Sequence, residues 1–204
     1  MARHVAFVAA LLLLAAPAVA RANGDPASDY LLVQNIFLPF NAKVDPAASA
    51  RLADTIRAAN KDNFKIKVAV IGSRYDLGTA FSLYNQAQKY AQFLGLELSF
   101  QYHGRLLVVM PNGYGYSIGG KTDPAGVRVV KALPPPGKDV TKQVEAATAT
   151  IRKLATASGH PLAASGSGGG SKSRDRITIA AGAVALAALL AAIVFWRRKP
   201  AAGV

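Results

Sequence analysis

Residues 103–120 read HGRLLVVMPNGYGYSIGG, and this stretch decides the fold of the chain. Arg105–Met110 is a nearly continuous apolar run, which predicts a strand that is covered on both faces. Pro111-Asn112-Gly113 is a hairpin signal. Tyr114–Ile118 then alternates as the antiparallel partner of the first strand. The chain therefore contains a buried hairpin around which the other elements must pack.

A second buried strand precedes this hairpin. Residues 65–78 read KIKVAVIGSRYDLG, in which Ile66–Gly72 is β-branched and mostly apolar. Between the two strands, apolar residues recur at helical spacing and predict a helix over Phe81–Leu98. The residues expected in the core of the two adjacent central strands are Val68, Val70, Leu107 and Val109.

Helix signals flank these strands. Asp45-Pro46 starts a helix that runs to about Asn60, because Asp caps the free N–H groups and Pro suits the first turn. Asp123-Pro124 repeats this pair for one helical turn, and Asp139 caps a last helix. Edge strands are expected at Tyr30–Phe40 and Val127–Leu133. The order of elements predicts an α/β fold, in the form of an α/β/α sandwich with a short mixed central sheet.

The N-terminus has the pattern of a secretion signal over residues 1–20. Arg3 provides the positive charge, Val5–Ala16 is the apolar region, and Ala18-Val19-Ala20 is a small-x-small cleavage site. Cleavage is expected after Ala20, with Ala22 as a second acceptable site. The alternative is an uncleaved first transmembrane helix, but the apolar run is short and Pro17 interrupts it.

The C-terminus has the pattern of a membrane anchor. Residues 177–196 contain no charge and match the ~20 residues that span a bilayer as a helix. Trp196 stands at an interfacial position, and the basic tail 197–204 follows as a cytoplasmic stop. No Leu-Pro-x-Thr-Gly sorting motif precedes the helix, so we expect the tail to stay attached.

These ends predict a topology. Three basic residues stand on each side of the helix, so local charge does not orient it. The signal does, and it predicts a single-pass protein of a bacterial cell membrane, with the domain 24–158 outside and the C-terminus cytoplasmic. Residues 159–176 are rich in Gly and Ser and form a stalk. Ala183, Ala187 and Ala191 form a small-residue face that would support weak self-association.

Composition limits the functions of the domain. The net charge of the chain is +13, but residues 24–163 hold sixteen basic and ten acidic residues, a net charge of +6. This modest excess fits anionic lipid or cell-wall polymers, and no motif indicates nucleic acid. The chain has no cysteine, which excludes thiol catalysis and cysteine metal sites.

The quoted strands carry a family resemblance. KIKVAVIGSRYDLG, an amphipathic helix that ends in LGLELSF, and HGRLLVVMPNGYGYSIGG resemble the TPM domain over about Pro39–Ser158. That family includes a thylakoid-lumen acid-phosphatase-like protein and a photosystem II repair protein. The resemblance implies an α/β sandwich that assembles or maintains membrane complexes. Some members are weak phosphatases and some carry an acidic calcium-binding cluster, but this chain has no tight run of Asp or Glu beside its central strands.

Candidate ligand-binding residues follow the strands. Arg74, Tyr75 and Asp76 come after the first buried strand, where α/β sheets bind ligands. Asp76 would either ligate a cation or cap the helix that follows. Lys121 and Asp123 lie beyond the hairpin. We expect no metal or cofactor, and the alternative is Ca²⁺ or Mg²⁺ held by Asp76 and Asp123.

Two other groups of residues have simpler interpretations. Four glycines flank the second strand of the hairpin: Gly113, Gly115, Gly119 and Gly120. Either they let backbone N–H groups approach an anion, or they only permit tight turns. His103 is the one histidine between the central elements, and a lone histidine without carboxylate neighbours makes no zinc site.

The sequence thus predicts a non-enzymatic, membrane-anchored interaction module. Its partners would be a membrane or envelope protein complex and, through residues 177–196, the lipid bilayer. The alternative is a weak, metal-assisted phosphatase of the TPM type, with Asp76 and either Asp45 or Asp123 as ligands.

Overall fold

The computed structural model describes residues 24–163. The predicted signal, the stalk beyond residue 163, the anchor at 177–196 and the basic tail lie outside the described residues. None of the helices within residues 24–163 combines the length and the hydrophobicity of a membrane span.

The centre of the domain is a four-stranded mixed sheet in the order β1-β2-β3-β4. The strands are β1 (Ile36–Phe37), β2 (Ile66–Val70), β3 (Arg105–Met110) and β4 (Gly113–Ile118). The first three are parallel, and β4 runs antiparallel to β3. The predicted hairpin and the second buried strand are therefore confirmed, and the fold is α/β.

The helices have the following bounds. They are α1 (Pro26–Val33), α2 (Pro46–Lys61), α3 (Ala87–Glu97), α4 (Pro124–Lys131) and α5 (Val140–Ala157), with a 3₁₀ segment over Arg74–Leu83. The helices α2, α4 and α5 share one apolar core with the sheet. A second core joins the opposite face of the sheet to α1, the 3₁₀ segment and α3.

Helices cover both faces of the sheet, which explains why the strand residues are apolar without interruption. Val68 lies opposite Leu107 in the β2–β3 register, and both side chains belong to the core of α2 and α5. Their chain neighbours Ala69 and Val108 point into the other core. Since both faces are buried, the strands show no polar alternation. The four predicted core residues, Val68, Val70, Leu107 and Val109, are all fully buried.

Aspartates begin the helices as the sequence predicts. Asp45 accepts hydrogen bonds from the N–H groups of Ala47 and Ala48 at the start of α2. Asp139 accepts one from Lys142 at the start of α5. In each case the carboxylate satisfies donors that have no partner within the first turn.

The prediction of an edge strand over Tyr30–Phe40 is wrong for most of its length. Asp25-Pro26 begins α1, which continues to Val33, and only Ile36–Phe37 pairs with β2. The Asp25-Pro26 pair is the same helix-start signal as Asp45-Pro46. The β-branched and aromatic residues of this stretch favour a strand, but burial of Ala27 and Leu31 on one side of a helix outweighs that preference.

The prediction of an edge strand over Val127–Leu133 is also wrong. The helix α4 occupies Pro124–Lys131 and is longer than the single turn that Asp123-Pro124 predicts. Val127 and Val130 stand three residues apart, so both lie on the buried side of the helix. Helical spacing of the valines therefore outweighs their preference for strands.

The single helix predicted over Phe81–Leu98 is divided. The 3₁₀ segment ends at Leu83, and α3 begins at Ala87. Between them Asn85 has a positive φ of 64°, a backbone conformation that interrupts a helix. The helical spacing of apolar residues holds in α3, where Tyr90, Ala91 and Leu94 are buried.

Candidate functional site

A cavity of about 740 Å³ opens where the chain leaves the carboxyl end of β2. One wall is the start of α1, and the other is the 3₁₀ segment. The lining residues are Gly24, Pro26, Asp29, Arg74, Tyr75, Gly78, Thr79 and Phe81. The cavity therefore contains Arg74 and Tyr75 in the position that strand ends give to ligand sites.

Close backbone contact joins the two walls. Gly78 has φ +50°, and a Cβ at this position would overlap the carbonyl oxygen of Gly24 and lie 2.8 Å from Cδ of Pro26. Only glycine meets both demands without strain. The cavity thus depends on the first described residues of the chain as well as on the loop after β2.

The rim of the cavity is aromatic and basic. The guanidinium carbon of Arg74 lies 5.3 Å from the centre of the Phe81 ring, a cation–π arrangement. Tyr75 is 86% exposed and Phe81 is 51% exposed. We call Arg74, Tyr75 and Phe81 the aromatic–arginine patch. It offers flat apolar area, a charge and a hydroxyl on one exposed surface.

Asp76 has a local structural role. Its carboxylate accepts hydrogen bonds from the N–H of Ser73 at 2.7 Å and from the Ser73 hydroxyl at 3.1 Å. These bonds close the turn that leads into the 3₁₀ segment. Of the two interpretations offered by the sequence, helix capping is the one that this geometry supports.

Lys121 and Asp123 lie at the other end of the sheet. Ile118, at the end of β4, pairs with Arg105 at the start of β3, and Lys121 bridges back to Ile118. The five residues of β2 span about 17 Å at the usual rise of a strand. Asp76 and Asp123 are therefore at opposite ends of the strands, and the structure does not bring these two carboxylates together.

Asp123, like Asp76, caps a helix. Its carboxylate accepts a hydrogen bond from the N–H of Gly126 at 3.0 Å, at the start of α4. Lys121 is exposed beside it. Among residues 24–163, no three His, Asp or Glu side chains come together in a group that could hold a metal ion.

Two of the four hairpin glycines, Gly115 and Gly120, allow close packing, whereas Gly113 and Gly119 have positive φ and room for a Cβ. A Cβ on Gly115 would overlap the backbone of Ala87, and one on Gly120 would lie 2.7 Å from the N of Leu96. Neighbouring amides are occupied: Gly119 donates to the carbonyl of Gly104, and Lys121 donates to that of Ile118. Gly115 and Gly120 bring α3 against β4, and the two amides of Gly119 and Lys121 are not left for an anion. His103 is exposed in the turn that leads to β3.

The sequence hypotheses missed a buried carboxylate beneath the cavity. Asp25 is only 5% exposed, and the Tyr90 hydroxyl and the N–H of Ala27 donate to it. Burial raises the pKa of Asp25 from 3.8 to about 6, although the hydrogen bond from Tyr90 opposes the shift. The Asp-Pro pair at 25–26 marks Asp25 as a helix cap in the sequence. The burial comes from α3 and is not visible in the local sequence.

The comparisons with known proteins add no relative. No protein-family model, curated protein or solved structure matches this chain.

Proposed function

We propose that this protein is a membrane-anchored, extracytoplasmic interaction module that supports or maintains a membrane or envelope protein complex. In this proposal residues 1–20 direct export and residues 177–196 hold the chain in a bacterial cell membrane. The domain is a TPM-like α/β/α sandwich outside the membrane, and the tail is cytoplasmic. The sequence patterns and the resemblance to TPM domains support this placement.

The observation that carries the proposal is the aromatic–arginine patch. Tyr75 keeps most of its surface in water, although an aromatic ring gains free energy when it is covered. Tyr, Phe and Arg are enriched in protein interfaces, and Tyr and Arg supply many of their strongest contacts. Arg74 also lies over Phe81, so its position is partly defined before a partner binds. A surface of this kind suits contact with another protein.

The phosphatase alternative has no comparable observation in its favour. Its proposed ligands Asp76 and Asp123 are separated by the sheet, and each carboxylate is engaged at the start of a helical segment. Asp45, the other suggested ligand, caps α2. Metal-assisted phosphoryl transfer needs carboxylates that converge on one ion. Arg74 and Lys121 retain the charge to attract a phosphate, but this is binding without catalysis.

Site-specific photo-crosslinking in the membrane tests the proposal. The full chain is expressed with a photoreactive benzoylphenylalanine in place of Tyr75, and intact cells are irradiated. Phe100 is the matched control, because it is 69% exposed and lies in the turn that leads into β3, at the opposite end of the sheet. We expect a discrete crosslinked membrane or envelope protein from position 75 only.

A second test combines the photoreactive residue at position 75 with an Arg74→Ala exchange. Loss of the guanidinium should reduce the adduct at position 75 and leave the amount of membrane-bound protein unchanged. Equal adducts from positions 75 and 100, or none from either, would contradict the proposal that the patch is the contact surface.

A further inference from the structure

The open edge of the sheet lies in a groove between two helices. A cavity of about 710 Å³ runs along β1, with α1 on one side and α2 on the other. We call it the edge groove. Its walls include Tyr30 of α1, Gln34 just after α1, and Ser49, Ala53, Arg57 and Asn60 of α2. This groove is separate from the cavity at the carboxyl end of β2, which has a different set of lining residues.

The floor of the edge groove presents unpaired backbone. The N–H of Val68 donates to the carbonyl of Asn35, and Ile36 is the register partner of Val68. In a parallel pair, successive residues direct their N–H and C=O groups alternately to the two sides of the strand. Those of Ile36 therefore point away from β2 and into the groove. An edge with free donors and acceptors is a template for another strand.

Aromatic rings line one side of the groove. Tyr30, Phe37 and Phe40 contact one another edge to face, with ring centres 5.5 to 6.0 Å apart. Phe37 is fully buried, but Phe40 is 69% exposed and Tyr30 is 41% exposed. The two outer rings are held in place by the buried one and leave apolar surface beside β1. An apolar side chain of an added strand would cover it.

The charge of the groove restricts what it accepts. Of the described residues that line it, Arg57 alone is charged, and the remaining polar groups are amides and hydroxyls. Arg57 pairs with Asp54 of its own helix at 2.6 Å, with both side chains exposed. Such surface pairs contribute little, so Arg57 can turn to another carboxylate. The lining therefore favours a segment with an uncharged centre and a carboxylate near Arg57.

We propose that the edge groove binds an extended peptide segment of a partner protein, which adds to β1 as a fifth strand. Its backbone pairs with Ile36, an apolar side chain covers Tyr30 and Phe40, and a carboxylate meets Arg57. A second copy of this chain fits less well. The paired part of β1 is two residues long and recessed between α1 and α2, so the helices of two copies would meet before their strands. The proposal is independent of the aromatic–arginine patch.

Peptide selection on the purified full chain in detergent micelles tests this proposal. Random dodecapeptides with free C-termini are displayed and selected for binding. Enriched peptides are then synthesised and measured against two variants of α2. Ala53→Gln narrows the groove, and Ala58→Gln makes the same exchange at an exposed position outside it. We expect Ala53→Gln to weaken binding at least about tenfold and Ala58→Gln to leave it within about twofold.

Amide hydrogen exchange locates the bound peptide directly. The Ile36 N–H should exchange rapidly in the free protein and become protected when the peptide adds as a strand. Amidation of the peptide carboxylate should weaken binding to the wild type and have less effect on Arg57→Gln. Four outcomes would overturn the proposal. These are no enriched peptide, equal binding by Ala53→Gln and Ala58→Gln, an Ile36 amide that stays unprotected, or displacement of the peptide when only the detergent concentration is raised. The last would indicate a site for acyl chains.

Discussion

The hydroxyl of Tyr90 lies 2.7 Å and 2.8 Å from the two carboxylate oxygens of Asp25, a residue 65 positions earlier in the chain. This contact fastens the first turn of α1 to the first turn of α3. Burial is the main cause that raises the pKa of Asp25, and the nearby carboxylates of Glu97 and Asp29 add to it. Ionisation of the Asp25 carboxyl group in this buried position therefore costs free energy. The contribution of Asp25 to the stability of the domain therefore depends on pH.

Asp25 should make the domain less stable as the pH rises. Its pKa is about 6 in the folded state and near 3.8 in the unfolded chain, so the folded state binds the proton more tightly. The stabilisation is complete below about pH 4 and is lost as the pH rises through about 6, with a total on the order of 3 kcal/mol. Urea unfolding between pH 4 and 7 measures this change.

Asp25→Asn is the informative variant for this pH dependence. Asparagine also caps helices but does not titrate, so the part of the pH dependence that belongs to Asp25 should disappear. Asp139→Asn, at the exposed cap of α5, is the control and should leave the profile of the wild type intact. Identical profiles for wild type and Asp25→Asn would show that Asp25 is not the group responsible.

Tyr90→Phe should reduce stability by about 1–3 kcal/mol at neutral pH, because it removes a buried donor and leaves the Asp25 carboxylate without its main side-chain partner. The ring and its packing are retained. The exposed Tyr75→Phe makes the same chemical change without a buried partner and should stay within about 0.5 kcal/mol. Equal losses of unfolding free energy in the two variants would contradict the assigned role of the hydroxyl.

Gly78→Ala should destabilise the domain more than Gly137→Ala. Both glycines have positive φ, but a Cβ on Gly78 would overlap Gly24, whereas one on Gly137 meets open space. Gly137→Ala therefore reports backbone strain alone, about 1–2 kcal/mol. The additional loss in Gly78→Ala should come with faster hydrogen exchange in α1. A result in which Gly137→Ala is the more damaging exchange would argue against close packing of Gly24 on Gly78.

Leu107→Ala should cost about 2–5 kcal/mol of unfolding free energy, through lost burial and the cavity left in the sheet centre. Leu107 is fully buried on the face of β3 that packs against α2 and α5. Leu96→Ala is the matched control, because Leu96 is 59% exposed on α3. A loss below about 0.5 kcal/mol for Leu107→Ala would be that of a surface position and would not fit a core strand.

The topology prediction is tested by protease on intact cells, with a C-terminal epitope on the full chain. The domain at 24–158 should be digested and the epitope in the tail should be protected. Protection of the domain together with digestion of the tail would reverse the proposed orientation.

The central strands and most helix starts could be predicted from the sequence, because their causes are local. Val68 and Leu107 lie in runs too apolar for a half-exposed strand, which reveals burial on both faces. Asp45 and Asp139 cap helices through N–H groups two or three residues away. Signals of this range are contained in a few consecutive residues.

Tertiary packing decided what the local sequence left ambiguous. Val127 and Val130 lie in a helix because both are buried on one side of α4, although valine favours strands. The direction and register of β2, β3 and β4 placed Asp76 and Asp123 at opposite ends of the strands, which spacing along the chain does not reveal. The burial of Asp25 depends on Tyr90 in a distant helix. Local elements follow from short-range hydrogen bonding and periodicity, whereas the sites follow from which elements the sheet brings together.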